Sequence, residues 1–164
     1  MKQFITLICI FISLGAFSQN TLKDVLKKYN SESVPYITVD TLKKVIHKGV
    51  ILLDAREKKE FKISHLKGAQ FVGYEKFNLK KTTKSIANKD AKIVVYCSLG
   101  VRSEDIAEQL KNAGYTNVFN LYGGIFEWKN KENKVYNPKG KETEEIHAFS
   151  KEWAVWLLKG KKVY

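Results

Sequence analysis

Two continuous apolar runs, Val50-Ile51-Leu52-Leu53 and Ile93-Val94-Val95-Tyr96, stand out in a chain whose other hydrophobic residues mostly recur at helical spacing. Runs without polar alternation suit strands buried on both faces of a parallel sheet. Before the first run, Leu22, Val25, Leu26 and Tyr29 are spaced as one face of a short amphipathic helix that ends near Asn30-Ser31. Residues 36–39 read as a brief strand. Leu42, Val45 and Ile46 then form the apolar side of a helix that Asp40 or Thr41 can cap and Gly49 stops. Between the two runs, residues 57–61 suit one or two helical turns, 69–72 a short strand, and the lysine-rich stretch 75–88 a weakly helical surface segment. After the second run, Ile106, Ala107, Leu110 and Ala113 share one face of a helix over 103–113, with Glu104 and Asp105 in its first turn and Gly114 as its stop. Residues 118–121 form another strand, and Gly123-Gly124 turns into a helix at 125–128. Strands alternating with helices in short units predict an α/β domain with a mainly parallel central sheet flanked by helices on both faces. Residues 129–141 are polar, with turns at Pro138 and Gly140. Beyond them, Ile146, Phe149, Trp153, Trp156 and Leu157 fall at helical spacing, which predicts an amphipathic helix over 142–158 laid back on the domain.

The N-terminus changes the picture of where the protein works. Lys2, the apolar stretch 4–12 and the small residues Ala16 and Ser18 describe a secretory signal peptide over 1–18, cleaved before Gln19. The stretch is shorter than the ~20 residues of a spanning helix, so stable membrane insertion is not expected after cleavage; an uncleaved anchor is the alternative. The expected location is periplasmic or extracellular. Cleavage removes Cys9 and leaves Cys97 as the one thiol, which rules out an internal disulfide. Net charge is +12, from 29 lysines and arginines against 17 acids, and much of the lysine comes in scattered pairs such as Lys27-Lys28 and Lys80-Lys81. Without interleaved aromatic residues these pairs read as a solvated basic surface that draws small anions, with no nucleic-acid site. Three histidines and one mature cysteine give no metal-ligand spacing, and no cofactor is expected.

Cys97 directly follows the second apolar run and opens Cys97-Ser98-Leu99-Gly100-Val101-Arg102-Ser103, just before the predicted helix. A sulfur at the end of a buried strand, facing turn N–H groups and a helix N-terminus, is placed to act as a thiolate nucleophile toward an anion. Arg102 adds a positive charge to the same turn.

The segment Leu52-Leu53-Asp54-Ala55-Arg56 with Glu60-Phe61, then Ser64-His65-Leu66-Lys67-Gly68-Ala69, the loop 97–103, Gly114-Tyr115 and Tyr122-Gly123-Gly124-Ile125-Phe126-Glu127-Trp128 follow one another in this order. Together they resemble the rhodanese (sulfurtransferase) family, in its exported single-domain form, over residues 36–130. Residues 19–35 are then an N-terminal helical segment and 131–164 a C-terminal extension. The resemblance implies a rhodanese-like fold and a sulfurtransferase in which Cys97 takes a sulfane sulfur from a small anionic, thiosulfate-like donor. The Cys97 persulfide then passes that sulfur to cyanide or a thiol. It further implies that the N–H groups of Ser98, Leu99, Gly100, Val101, Arg102 and Ser103 form the substrate cradle. Four residues separate Cys97 from Arg102, one fewer than the resemblance implies for the related phosphatase branch, so a cysteine phosphatase or arsenate reductase is the lesser alternative. The loop matches neither the thiosulfate nor the mercaptopyruvate pattern closely, which leaves the donor open.

Around this centre, Arg102 either contacts substrate or pins the loop, and Ser103 bonds at the helix start. Arg56 follows a buried strand at the end where open α/β sheets bind ligands, and is read as lining the pocket. Asp54 is read as a structural anchor, and His65 as a support that donates to a backbone carbonyl. His47 and His147 are read as incidental. Trp128, Trp153 and Trp156 are read as core or docking residues in preference to an aromatic substrate slot. The competing reading from another class is a non-catalytic module that binds a partner or senses redox state.

Overall fold

The computed structural model describes residues 21–164, so the expected leader 1–18 and Cys9 lie outside the described residues. The elements of the α/β core run in the order α1 (Leu22–Tyr29), β1 (Tyr36–Ile37), α2 (Val39–Val45), β2 (Ile51–Asp54), α3 (Lys58–Ile63), β3 (Gln70–Phe71), α4 (Leu79–Lys84), β4 (Ile93–Tyr96), α5 (Arg102–Asn112), β5 (Val118–Leu121) and α6 (Gly124–Asn130). Five parallel strands form one sheet in the order β1-β5-β4-β2-β3. Strand β4 explains why helices cover both faces. Val94 and Tyr96 join one buried cluster with Leu42 of α2 and Phe126 of α6, whereas Ile93 and Val95 join the other with Ile106 and Leu110 of α5. Period-two geometry sends alternate side chains to opposite faces, so an unbroken apolar run needs a cover on each.

Local chemistry sets the helix starts. Thr21 accepts from the Asp24 N–H while the Asp24 carboxylate accepts from the Thr21 N–H, a reciprocal cap for α1. Thr38 caps α2, so Val39, expected in the first strand, begins that helix instead.

The C-terminal segment departs from the expectation. Residues 142–158 do not form one amphipathic helix. They give β7 (Glu142–Thr143), paired antiparallel with β6 (Val135–Tyr136), then β8 (Glu145–His147) and a 3-10 turn over Trp153–Trp156. Beyond the turn, Lys161–Val163 form strand β9, which pairs parallel with β8. Packing overrides the helical spacing here. Ile146 and Leu157 are both buried in the α2/α6 side of the core, and Phe149 between them has φ +66°, which no helix accommodates. Backbone partners from β9 favour a strand where the apolar spacing alone favours a helix.

Candidate active site

Strand register brings the relevant segments together at the C-terminal edge of the sheet. Asp54 pairs with Tyr96, and the Ala55 N–H donates to the Tyr96 carbonyl at 2.8 Å, so the chain leaving β2 runs beside Cys97 leaving β4. The loop from Cys97 to Val101 then turns into α5.

Its backbone is held with carbonyls outward. The Cys97 and Ser98 carbonyls accept from the Ile125 and Phe126 N–H groups at the start of α6, at 2.9 and 3.1 Å. The Gly100 carbonyl accepts from Asn120 Nδ2 at 2.7 Å and from Asn30 Nδ2 at 2.9 Å, and the Val101 carbonyl from the Glu104 N–H at 3.0 Å. The inward side is left to N–H groups. Gly100 N donates to Cys97 Sγ at 3.1 Å, and the N–H groups of Leu99, Val101 and Arg102 make no hydrogen bond within the described residues. Such a concave set of donors is suited to an anionic sulfur. Gly100 reaches this geometry at φ +116°, a region that side-chain-bearing residues avoid. Gly124 is required for a different reason: a Cβ there would lie 2.4 Å from the Cys97 oxygen and 2.6 Å from that of Ser98.

Ser103 Oγ stands 3.5 Å from Sγ and donates to Asn120 Oδ1 at 2.7 Å. The Asn120 amide nitrogen is committed to the Gly100 carbonyl, so its oxygen must accept the hydroxyl proton. Ser103 therefore turns an oxygen lone pair toward Cys97.

Arg102 pins the loop. Its Nη1 and Nη2 each donate at 2.8 Å to one oxygen of the fully buried Glu60 carboxylate, and Nη2 also donates to Ser98 Oγ at 3.1 Å. The Glu60 carboxylate further accepts from Ser98 Oγ and from the Glu57 N–H. Burial works to raise the Glu60 carboxyl, but the Arg102 hydrogen bonds and charge outweigh it and hold the group below its ordinary range.

Arg56, expected to line the pocket, does not. It is entirely buried, paired with Asp54 at 2.7 Å, and donates to the Ser64 carbonyl at 2.6 Å. The reason is register: Asp54 ends β2 fully buried, and the Arg56 side chain folds back to neutralise it. His65 also lies apart from the sulfur, stacked on Phe61 with ring centroids 4.1 Å apart and its Nδ1 3.2 Å from the Phe61 carbonyl.

Over Sγ lies a cavity of about 100 Å³. Loop residues Cys97, Ser98, Leu99, Val101 and Arg102 make its floor and sides, and Phe149 and Trp153 of the C-terminal extension wall the rest. The Phe149 ring centroid is 4.7 Å from the Arg102 guanidinium carbon. His147, expected to be incidental, anchors the backbone that carries that ring: its Nδ1 accepts from the Phe149 N–H at 3.1 Å. Among the described residues, no group of three or more His, Cys, Asp or Glu side chains converges to hold a metal.

Sequence reasoning missed Glu60, Asn120, Asn30 and the two aromatic walls. An arginine in a turn beside a buried strand calls for an acid, which was the available signal for Glu60. Nothing local marked Asn30 or Phe149.

Comparison with known proteins places this geometry. The rhodanese-like domain family model matches residues 38–131. Thiosulfate sulfurtransferase GlpE of Haemophilus influenzae is 35% identical over 92 residues, covering 56% of this chain and 85% of GlpE. The tRNA uridine(34) hydroxylase of Listeria monocytogenes is 35% identical over 96 residues, but the chain spans only 30% of its length. Among solved structures, a rhodanese-related protein from Thermoplasma volcanium superposes with a TM-score of 0.54 at 27% identity, over 62% of this chain and 96% of that one. A thiosulfate sulfurtransferase from Pseudomonas aeruginosa gives a TM-score of 0.60 at 18% identity, over 83% of this chain and 25% of that one, and shares the fold alone. Phe149 and Trp153 lie outside the matched family span.

Proposed function

Because this chain belongs to the rhodanese-like domain family, we propose that it is a sulfurtransferase that carries sulfane sulfur as a Cys97 persulfide. The Cys97 thiolate attacks the outer sulfur of a thiosulfate-like donor. The donor's S–S bond breaks, and its electron pair leaves with sulfite. A thiol or cyanide acceptor then takes the outer sulfur, and Cys97 leaves as thiolate, in a two-step exchange. The observation that carries this reading is the Gly100 N–H aimed at Sγ from 3.1 Å, within a loop whose neighbouring carbonyls face the protein. Those N–H groups are positioned to hold negative charge on the thiolate, and afterwards on the terminal persulfide sulfur. Arg102 acts on the cradle's shape through Glu60. GlpE is named a thiosulfate sulfurtransferase, and similarity over most of its length favours the same reaction class here.

With residues 1–18 read as a cleaved leader, the reaction belongs to an exported protein. Intact-protein mass spectrometry after exposure to thiosulfate tests both points. The expected result is a gain of one sulfur atom, absent in Cys97→Ala, on a natural chain that starts at Gln19. Wild-type protein that takes up no sulfur from any of several donors would defeat the sulfurtransferase reading, and a chain retaining Met1 would defeat the leader.

A further inference from the structure

A pocket for the thiosulfate dianion would be expected to offer it a free cation. This one does not. Both prongs of the Arg102 fork are taken up by Glu60, and the fully buried Arg56 is paired with Asp54. Formal charge cancels within each pair, which leaves the backbone N–H groups as the donors nearest Sγ. The outer face of the Arg102 guanidinium is covered by the Phe149 ring. That ring is held over the loop by a residue with φ +66°, fixed by the His147 acceptor, and an unfavourable backbone angle kept beside a reactive sulfur points to a requirement of the site. Trp153 packs against Tyr29 in a tilted pair, with ring centroids 5.8 Å apart. Leu99 and Val101 complete an apolar wall around the thiol.

We propose that this site selects sulfur donors carrying an apolar group next to the sulfane sulfur and no more than one negative charge, such as organic thiosulfonates and hydrophobic persulfides, over inorganic thiosulfate. The proposal rests on the sulfurtransferase reading and narrows its donor. The free N–H groups of Leu99, Val101 and Arg102 hold one anionic sulfur or sulfonyl oxygen, while Phe149 and Trp153 receive the organic group. A second negative charge would lose water in this pocket and gain no cation in return. The chemistry balances without an outside oxidant or reductant. Sγ forms a bond to the outer sulfur of R–SO2–S⁻, the S–S bond breaks, and its electron pair leaves with the sulfinate R–SO2⁻. The sulfur moves with the electrons of a neutral atom, and Cys97 becomes the persulfide anion.

Benzenethiosulfonate and thiosulfate are a matched pair for the test, with the same outer sulfur but different charge and bulk. Persulfide formation on Cys97 is followed by quenched intact-mass measurements, and each donor's rate constant is divided by its rate with free cyanide in solution. The expected result is a normalised preference of about tenfold or more for the aryl donor, the scale of discrimination a hydrophobic pocket supplies. Phe149→Ala and Trp153→Ala should each bring the preference toward unity, in proteins shown to be folded by circular dichroism. Should either variant fail to fold, the wild-type ratio decides alone. Thiosulfate loading as fast as, or faster than, the aryl donor overturns the proposal and leaves the sulfurtransferase reading standing. A preference unchanged in both folded variants overturns it too. Loading by neither donor takes down both.

Discussion

Glu60→Gln removes one buried charge with almost no change of shape, and its effect follows from the donors that converge on the carboxylate. Arg102 Nη1 and Nη2, Ser98 Oγ and the Glu57 N–H all donate to it. A glutamine amide keeps one acceptor oxygen but turns an N–H toward a cluster of donors. It also leaves the Arg102 guanidinium, whose side chain is 14% exposed, without its counter-charge. Removing one partner of a buried ion pair costs about 3–5 kcal/mol, and the remaining acceptor together with Arg102's partial exposure argues for the lower end, about 3 kcal/mol. That should shift the urea midpoint by roughly 1–2 M. The pH dependence gives a second reading. The Glu60 carboxyl is held below its ordinary value of 4.5 in the folded protein, so its stabilisation is fully present above that pH. It is lost as pH falls through the folded-state value. The acid limb of stability should therefore be shallower in Glu60→Gln than in wild type. A variant within about 1 kcal/mol of wild type, with an unchanged acid limb, would refute the claim that this pair holds the loop.

Gly124→Ala should destabilise by about 3 kcal/mol or more and abolish sulfur loading, because its Cβ would lie 2.4 Å from the Cys97 carbonyl oxygen at a φ of +54°. Denaturant titration beside the mass assay checks this, and a stable, active variant contradicts it. Burial pushes the His147 imidazole below its ordinary 6.5, so the folded state favours the neutral ring that accepts from Phe149. Its contribution is complete above pH 6.5 and fades as pH falls through the folded-state value. His147→Asn, which retains an acceptor but cannot titrate, should flatten the dependence of melting temperature on pH between about 7 and 5. Parallel profiles for the two proteins would count against it.

What the sequence made legible depended on whether the signal was local. The runs ending at Leu53 and Tyr96, the glycine stops and the position of Cys97 all act within a few residues, and the parallel sheet follows from them. The loop's wiring does not. Glu60 meets Arg102 across 42 residues, and Asn120 meets the Gly100 carbonyl across 20, contacts that no spacing announces. Arg56 misled because a strand's C-terminal end usually faces ligand, whereas the buried Asp54 beside it demanded a counter-charge first. The segment over 142–158 misled for a thermodynamic reason. Its apolar spacing fits a helix, but isolated helical spacing is a weak preference beside the backbone bonds that β9 offers to β8.

Asn30 lies in the helical lead-in, ahead of the span that matches the family, yet its amide reaches 70 residues along the chain to the Gly100 carbonyl. From the other end, Phe149 and Trp153 reach back over the same loop. The stretch recognisable by descent and the stretch that works as a unit thus have different borders. Excising residues 38–131 as a minimal module would keep the nucleophile while stripping a tether from beneath it and a canopy from above. Transplanting the loop 97–103 into a relative would carry over its spelling without its surroundings. On the donor preference proposed above, selectivity belongs to the flanks.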